Sequence, residues 1–205
     1  PHFRPPREIT KEQIRATVQQ HAEAARRALK AGFDATEVTS FMGYLLATFN
    51  SKFTNRRTDE YGGSLKNRGR FMCELIDAMK QAQGDAPLVI RLNGNELMDR
   101  WGGNTEDECF ELMQLAAEHG VDMISVTVGW QEAPESSIGR DVPPGYWNRL
   151  AARAKAWERH ADQLVVHARE LAEHQPQWRP LMQLLHHSDD VADALSRVPG
   201  LEIVR

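Results

Sequence analysis

Tyr44 follows Gly43 directly beyond a short strand-like run, Asp34 to Thr39, at a point where a parallel sheet exposes side chains to a ligand. A phenol with an ordinary pKa near 10 stays protonated at neutral pH and can hand a proton to a developing carbanion. The competing reading is a tyrosine that packs at the base of a loop. Arg91 lies inside an apolar run, Pro87 to Leu92. An unpaired buried charge is costly, so Arg91 needs either a carboxylate such as Glu37 or a bound group that accepts its hydrogen bonds.

Between Asn55 and Arg70 the chain carries Arg56, Arg57, Arg68 and Arg70 together with Asp59 and Glu60. Paired guanidinium and carboxylate groups can lock such a loop in shape, and Gly62-Gly63 permits a tight turn. These residues read as scaffold rather than as catalysts. His160, His167 and His174 recur every seven residues on a predicted helix. A rise of about 1.5 Å per residue separates successive members by roughly 10 Å, too far to share a metal. His186-His187 has no supporting ligand pattern either, so no metal site is expected.

The elements that must position these groups alternate. Thr10 and Gln13 form a capping box ahead of a helix striped with Ile14, Val18, Ala22, Ala25 and Leu29. After the strand ending at Thr39 and the long polar loop, a second helix starts near Leu65 and stops near Gly84. The compact strand at Pro87 to Leu92 precedes a third helix capped by Asn104 or Thr105, and Val121 to Val128 is the next strand. Helix formers fill Asn148 to Gln175, then Arg179 to Leu185 and Leu201 to Val204 read as strands around a short helix at Asp189 to Arg197. This alternation predicts a parallel sheet with covering helices. No Gly-x-Gly-x-x-Gly turn follows a strand, so a dinucleotide-binding turn is unsupported.

At 205 residues the chain can bury a sizeable core, and its net charge of -4 argues against a nucleic-acid partner. No apolar run approaches a membrane span, and the start of the chain lacks the apolar core of a signal peptide. Cys73 and Cys109, both within predicted helices, read as reduced structural thiols of a cytoplasmic protein.

The order Gly43-Tyr44-Leu45-Leu46, then Asn55 through Thr58-Asp59-Glu60-Tyr61-Gly62-Gly63-Ser64, then Asn67-Arg68-Gly69-Arg70-Phe71 resembles the old yellow enzyme family of flavin-dependent reductases. The resemblance implies an α/β fold, a partial (βα)8 barrel comprising strands four to eight with covering helices. It implies FMN as cofactor and NAD(P)H as reductant, with FAD and a 4Fe-4S cluster only if a full-length protein carries extra domains. The implied reaction is reduction of an activated C=C bond in a small molecule by flavin hydride transfer. Tyr44 would donate the proton, and Arg91 would bind the flavin near N1 and the C2 carbonyl. Gly129-Trp130-Gln131-Glu132 is similar to a segment of the dienoyl-CoA and aryl-CoA (naphthoyl-CoA) reductase branch, where Gln131 could hydrogen-bond a thioester carbonyl. Oxidative amine demethylation is the alternative within the family, and a non-catalytic remnant is the alternative outside it.

Three departures accompany the resemblance. The His-x-x-His or His-x-x-Asn pair that many members carry before the tyrosine is here replaced by Thr39-Ser40-Phe41-Met42, which removes the usual donors to a ketone oxygen and leaves Thr39 and Met42 at the substrate-facing positions the resemblance implies. Three barrel strands expected ahead of the Ile9 helix are absent, as is the flavin-phosphate segment after the eighth strand. The segment 148–178 reads as an atypical helical insertion, and Leu184-Leu185-His186-His187 replaces a phosphate-binding glycine. Open parallel edges invite pairing. The whole chain, 1–205, is therefore expected to be an incomplete flavin-reductase barrel, a fragment, truncated product or split subunit that meets a complementing chain and binds flavin weakly alone.

Overall fold

In the computed structural model, residues 7–133 and 142–156 are described. They fall into two units, one up to Val142 and one from Pro143 onward. In the first unit α1 (Lys11–Lys30), β1 (Thr36–Ser40), α2 (Leu45–Asn50), α3 (Leu65–Gln83), β2 (Leu88–Asn95), a 3₁₀ turn (Asp99–Trp101), α4 (Glu106–Glu118) and β3 (Met123–Val128) follow in order.

The strands form one parallel sheet in the order β1-β2-β3. Val38 pairs with Ile90 and Ile90 with Ile124, so one row of side chains crosses all three strands. Glu37, Thr39, Arg91 and Ser125 take the alternate positions and stand on the opposite face. Val38, Ile90 and Leu92 are buried together with Ile14, Val18, Phe71, Leu75, Ile76, Leu112 and Ala116 from α1, α3 and α4. The helices thus cover one face of the sheet, as right-handed β-α-β crossovers require. Glu37 and Thr39 are exposed on the other face.

The capping box predicted at Thr10 and the cap predicted at Asn104 or Thr105 explain where α1 and α4 begin. Thr10 accepts from the Gln13 amide and Thr105, rather than Asn104, accepts from the Glu108 amide. Two expectations need correction. The first strand starts at Thr36, two residues later than its apolar lead-in suggested, because Phe33 is exposed and the pairing with β2 begins at Leu88. The polar loop after Gly43 also contains α2, a six-residue helix that buries Leu46, Ala47, Phe49 and Asn50.

In the second unit residues 148–156 are helical, as the run of helix formers predicts. Tyr146 and Trp147 meet edge to face at 4.7 Å. The strands expected at 179–185 and 201–204, the remainder of the 148–178 insertion and the histidines from His160 onward lie outside the described residues.

Candidate functional site

The site grows from the end of β1. Phe41 leaves the strand, its carbonyl accepts the Tyr44 amide at 3.1 Å, and the turn between them places Tyr44 at the N-cap of α2. Met42 and Gly43 both take positive φ, 52° and 83°, to close this turn. Tyr44 makes no side-chain cap bond, so its phenol is not spent on the helix. The residue is 50% exposed and its ring meets Phe41 edge to face at 5.7 Å.

Arg91 reaches the same ring from β2, with its guanidinium 5.7 Å from the Phe41 centroid. Its Nε donates to Ser125 Oγ at 3.2 Å and an Nη lies 3.2 Å from a Glu37 oxygen. Sequence reasoning expected a buried arginine. The side chain is instead 41% exposed, because alternate positions of this sheet face away from the helices. Glu37 is nevertheless the carboxylate partner anticipated for it. Thr39 stands beside Arg91 in register, exposed, on the same face.

Trp130 ties the remaining two candidates to this end of the sheet. It forms a parallel bridge with Met42, and Gln131 follows it, exposed. The indole is 5% exposed and packs against Ala47, Met98 and Phe53. The structure therefore brings Tyr44, Arg91 and Thr39 together around Phe41, with Met42 and Gln131 joined to them through Trp130.

Beneath α2 lies a polar network that sequence reasoning missed. A six-residue helix is too short to hold itself. Its last carbonyl, that of Asn50, accepts from Arg68 Nε at 3.0 Å and Asn104 Nδ2 at 3.1 Å. Ser51 Oγ and the Asn104 amide both donate to Glu96 Oε2, at 2.8 and 2.9 Å. Glu96 is 3% exposed, and burial pushes its carboxyl above the usual carboxylate range despite these donors. Asn50 Oδ1 and Asn93 Oδ1 lack donors, and both residues line a cavity of about 10 Å³, room for one bridging water. The only trace in sequence was the presence of Glu96, Arg68 and Asn104 among apolar or glycine-rich neighbours.

The arginine-rich loop behaves as scaffold. Arg57 binds Asp59 through Nε at 3.0 Å and Nη2 at 2.6 Å, and its Nη1 donates to the Ile9 carbonyl at 2.8 Å. The side-chain hydrogen bonds from Arg57 hold the Asp59 carboxyl below its usual range. Tyr61 donates to Glu74 at 2.9 Å, and burial together with that carboxylate pushes its phenol up to about 12. Cys73 and Cys109 are buried; burial raises Cys73 to about 12 and lifts Cys109 well above the ordinary thiol range.

Helices on one face of a parallel sheet, with Met42, Tyr44 and Gln131 just past the ends of β1 and β3, fit a β/α-barrel type of protein. Residues 1–137 match the NADH:flavin oxidoreductase / NADH oxidase family, and the chain belongs to that family, the old yellow enzymes. A protein named metal reductase from Desulforamulus reducens is 42% identical over 147 residues, covering 71% of this chain and 22% of its own length. An NADPH dehydrogenase from Geobacillus thermodenitrificans is 40% identical over 141 residues, 69% of this chain and 39% of its own. A solved 2-naphthoyl-CoA reductase in complex with 2-naphthoyl-CoA superposes with a TM-score of 0.70 at 41% identity, covering 73% of this chain and 23% of that one. The described sheet and helices are accordingly a segment of a (βα)8 barrel. The chain spans well under half the length of these relatives.

Proposed function

We propose that this chain contributes the proton donor and one cofactor-binding arginine to an FMN-dependent, NAD(P)H-driven reductase of activated C=C bonds, with an enoyl- or aryl-CoA thioester as substrate class. The observation that carries the proposal is the placement of an uncommitted Tyr44 phenol, just past the end of β1, beside the Phe41 ring that Arg91 reaches from β2.

The donor set fits the cofactor. An isoalloxazine ring presents carbonyl oxygens and a ring nitrogen along one edge, and Arg91 offers a guanidinium that is fixed by Ser125 and Glu37 yet partly open. Bound FMN would supply two-electron chemistry, taking reducing equivalents from NAD(P)H and passing them to the substrate. Arg91 would hold the ring's electron-rich edge, and Glu37 would moderate the local positive charge. Tyr44 would deliver the proton to the carbon next to the one reduced. Thr39, Met42 and Gln131 would serve as substrate contacts, with the Gln131 amide suited to a thioester carbonyl.

The proposal extends to the setting of the chain. The matched relatives are two to five times longer than their matched regions, which supports further barrel strands supplied by a segment or chain complementary to 1–205. The domain assignment, an incomplete flavin-reductase barrel with a helical insertion at 148–178, belongs to this reading. So does a cytoplasmic location. No described helix is long and apolar enough to cross a membrane.

The test is Tyr44→Phe in the assembled, flavin-loaded protein. Reduction of the unsaturated thioester should slow by about 10²-fold or more, the scale of a lost general acid. Flavin reduction by NAD(P)H should be unchanged. Equal loss in both half-reactions would refute the assignment of Tyr44.

A further inference from the structure

Tyr44 is the N-cap of a helix too short to fix its own direction, at the end of a turn with two positive φ angles. Something outside the turn must set where the phenol lies. The contacts identify one side chain. A Cβ added at Gly43 would lie 3.2 to 3.3 Å from three atoms of the Trp130 indole, so the backbone immediately before Tyr44 is seated on the ring. Met42, one residue earlier, is bridged to the Trp130 backbone. Ala47, in the first turn of α2, shares one buried cluster with Trp130 and Met98. Trp130 is itself immobilised. It is 5% exposed, Phe53 meets it edge to face at 6.2 Å, and the Gly129 amide before it donates to the Asn95 carbonyl at 2.8 Å.

We propose that Trp130 is the positioning residue for Tyr44: its indole is the platform that registers the Met42–Tyr44 turn and the start of α2 against the end of β3. Trp130 touches neither flavin nor substrate in this role and acts only through the tyrosine. The inference rests on the reading of Tyr44 as proton donor for its catalytic consequence, but not for its structural content. It also accounts for Gly43, since any side chain there would meet the indole as well as take an unfavourable φ of 83°.

The test can be read on the 205-residue chain without cofactor. The chain contains three tyrosines, Tyr44, Tyr61 and Tyr146, so selective ¹³C labelling of tyrosine rings gives three signals, with Tyr44 assigned through Tyr44→Phe. Trp130→Ala should move the Tyr44 signal to its position in the unfolded chain and leave Tyr61, anchored on Glu74, in place. Gly43→Ala, which disturbs the same contact from the other side, should shift Tyr44 in the same selective way. Trp130→Phe, which keeps an aromatic platform, should restore most of the native position. An unmoved Tyr44 signal in Trp130→Ala and Gly43→Ala overturns the proposal. So does a joint shift of all three tyrosines in both variants, which would make Trp130 a general core residue. In the flavin-loaded protein Trp130→Ala should slow the proton-dependent half-reaction about tenfold with nicotinamide-driven flavin reduction unchanged. If the NMR result holds but that rate is unaffected, the proton-donor reading of Tyr44 fails while the positioning stands.

Discussion

Ser51 Oγ donates a 2.8 Å hydrogen bond to Oε2 of Glu96, joining the residue that closes the Tyr44 helix to a carboxylate only 3% exposed. The same oxygen accepts the Asn104 amide, so one buried atom fastens α2 to the start of the α4 segment. Because burial raises the Glu96 carboxyl above its ordinary 4.5, the folded chain binds that proton more tightly than the unfolded chain. Its contribution to stability is complete below pH 4.5 and is lost as pH rises through the raised value. Glu96→Gln keeps an acceptor and cannot ionise. Its stability relative to the parent should therefore improve between pH 4.5 and pH 8, as read from urea midpoints at the two pH values. Glu96→Ala orphans two donors and should cost about 2 kcal/mol or more. A Gln variant whose difference from the parent is flat with pH would show that Glu96 does not titrate as argued.

Asp59 has the opposite sign. Arg57 holds its carboxyl below the ordinary 3.8, so the pair stabilises the fold above that value and the gain disappears as pH falls through the depressed one. Arg57 is 10% exposed and also donates to the Ile9 carbonyl, which ties the loop to the start of α1. Arg57→Lys cannot reproduce the two-pronged contact and should cost about 2 kcal/mol at pH 7, with the deficit shrinking toward pH 3. Chemical denaturation across that range checks the trend; a deficit independent of pH would mean packing over Phe49 and Tyr61 dominates.

Much of this arrangement was legible from the order of residues. The capping box at Thr10 and the cap expected at Asn104 or Thr105 announce their helices locally, and the apolar run around Ile90 announces a covered strand. The candidate residues Tyr44, Arg91 and Thr39 do converge, because β1 and β2 pair in a register that puts Thr39 beside Arg91. What escaped was set by distant partners. The helix α2 has no cap or periodic signal of its own and is held by Glu96, Asn104 and Arg68, which lie 17 to 53 positions beyond Ser51 in sequence. The exposure of Arg91 was misjudged for a related reason. An apolar run does not say which alternate positions face the helices, and only the pairing of three strands decides it.

The two adjacent loop glycines should differ in their tolerance of substitution. A Cβ at Gly62 would lie 2.0 Å from the Arg57 carbonyl oxygen and 2.5 Å from its carbon, both backbone atoms that cannot swing aside. Gly63 meets nothing within 4 Å, and its constraint is a φ of 82°. Gly62→Ala should therefore cost about 3 kcal/mol, the upper range of overpacking, and Gly63→Ala about 1 kcal/mol, the penalty of a left-handed alanine. Thermal unfolding of the two variants decides the matter, and the reverse order would show that the turn is governed by φ rather than by close approach.

Arg91 separates the scaffold reading from the cofactor reading. Its ion pair with Glu37 joins side chains that are 41% and 37% exposed, a setting in which such pairs contribute about 1 kcal/mol or less. Its contact with Phe41 adds a cation–π term of about 0.5–1 kcal/mol at an exposed site. If Arg91 serves mainly to hold flavin, Arg91→Ala should lower stability by about 1 kcal/mol while weakening FMN retention in the assembled protein at least tenfold. The first quantity comes from urea denaturation of the 205-residue chain, the second from fluorescence titration of released FMN. Glu37→Gln supplies the complementary measurement. Removing the competing carboxylate leaves the guanidinium to Ser125 and the ring, so FMN affinity should rise rather than fall. A loss of several kcal/mol in Arg91→Ala with FMN retention intact would make the residue a structural cation, since its contacts on the sheet would then outweigh any it offers to a cofactor.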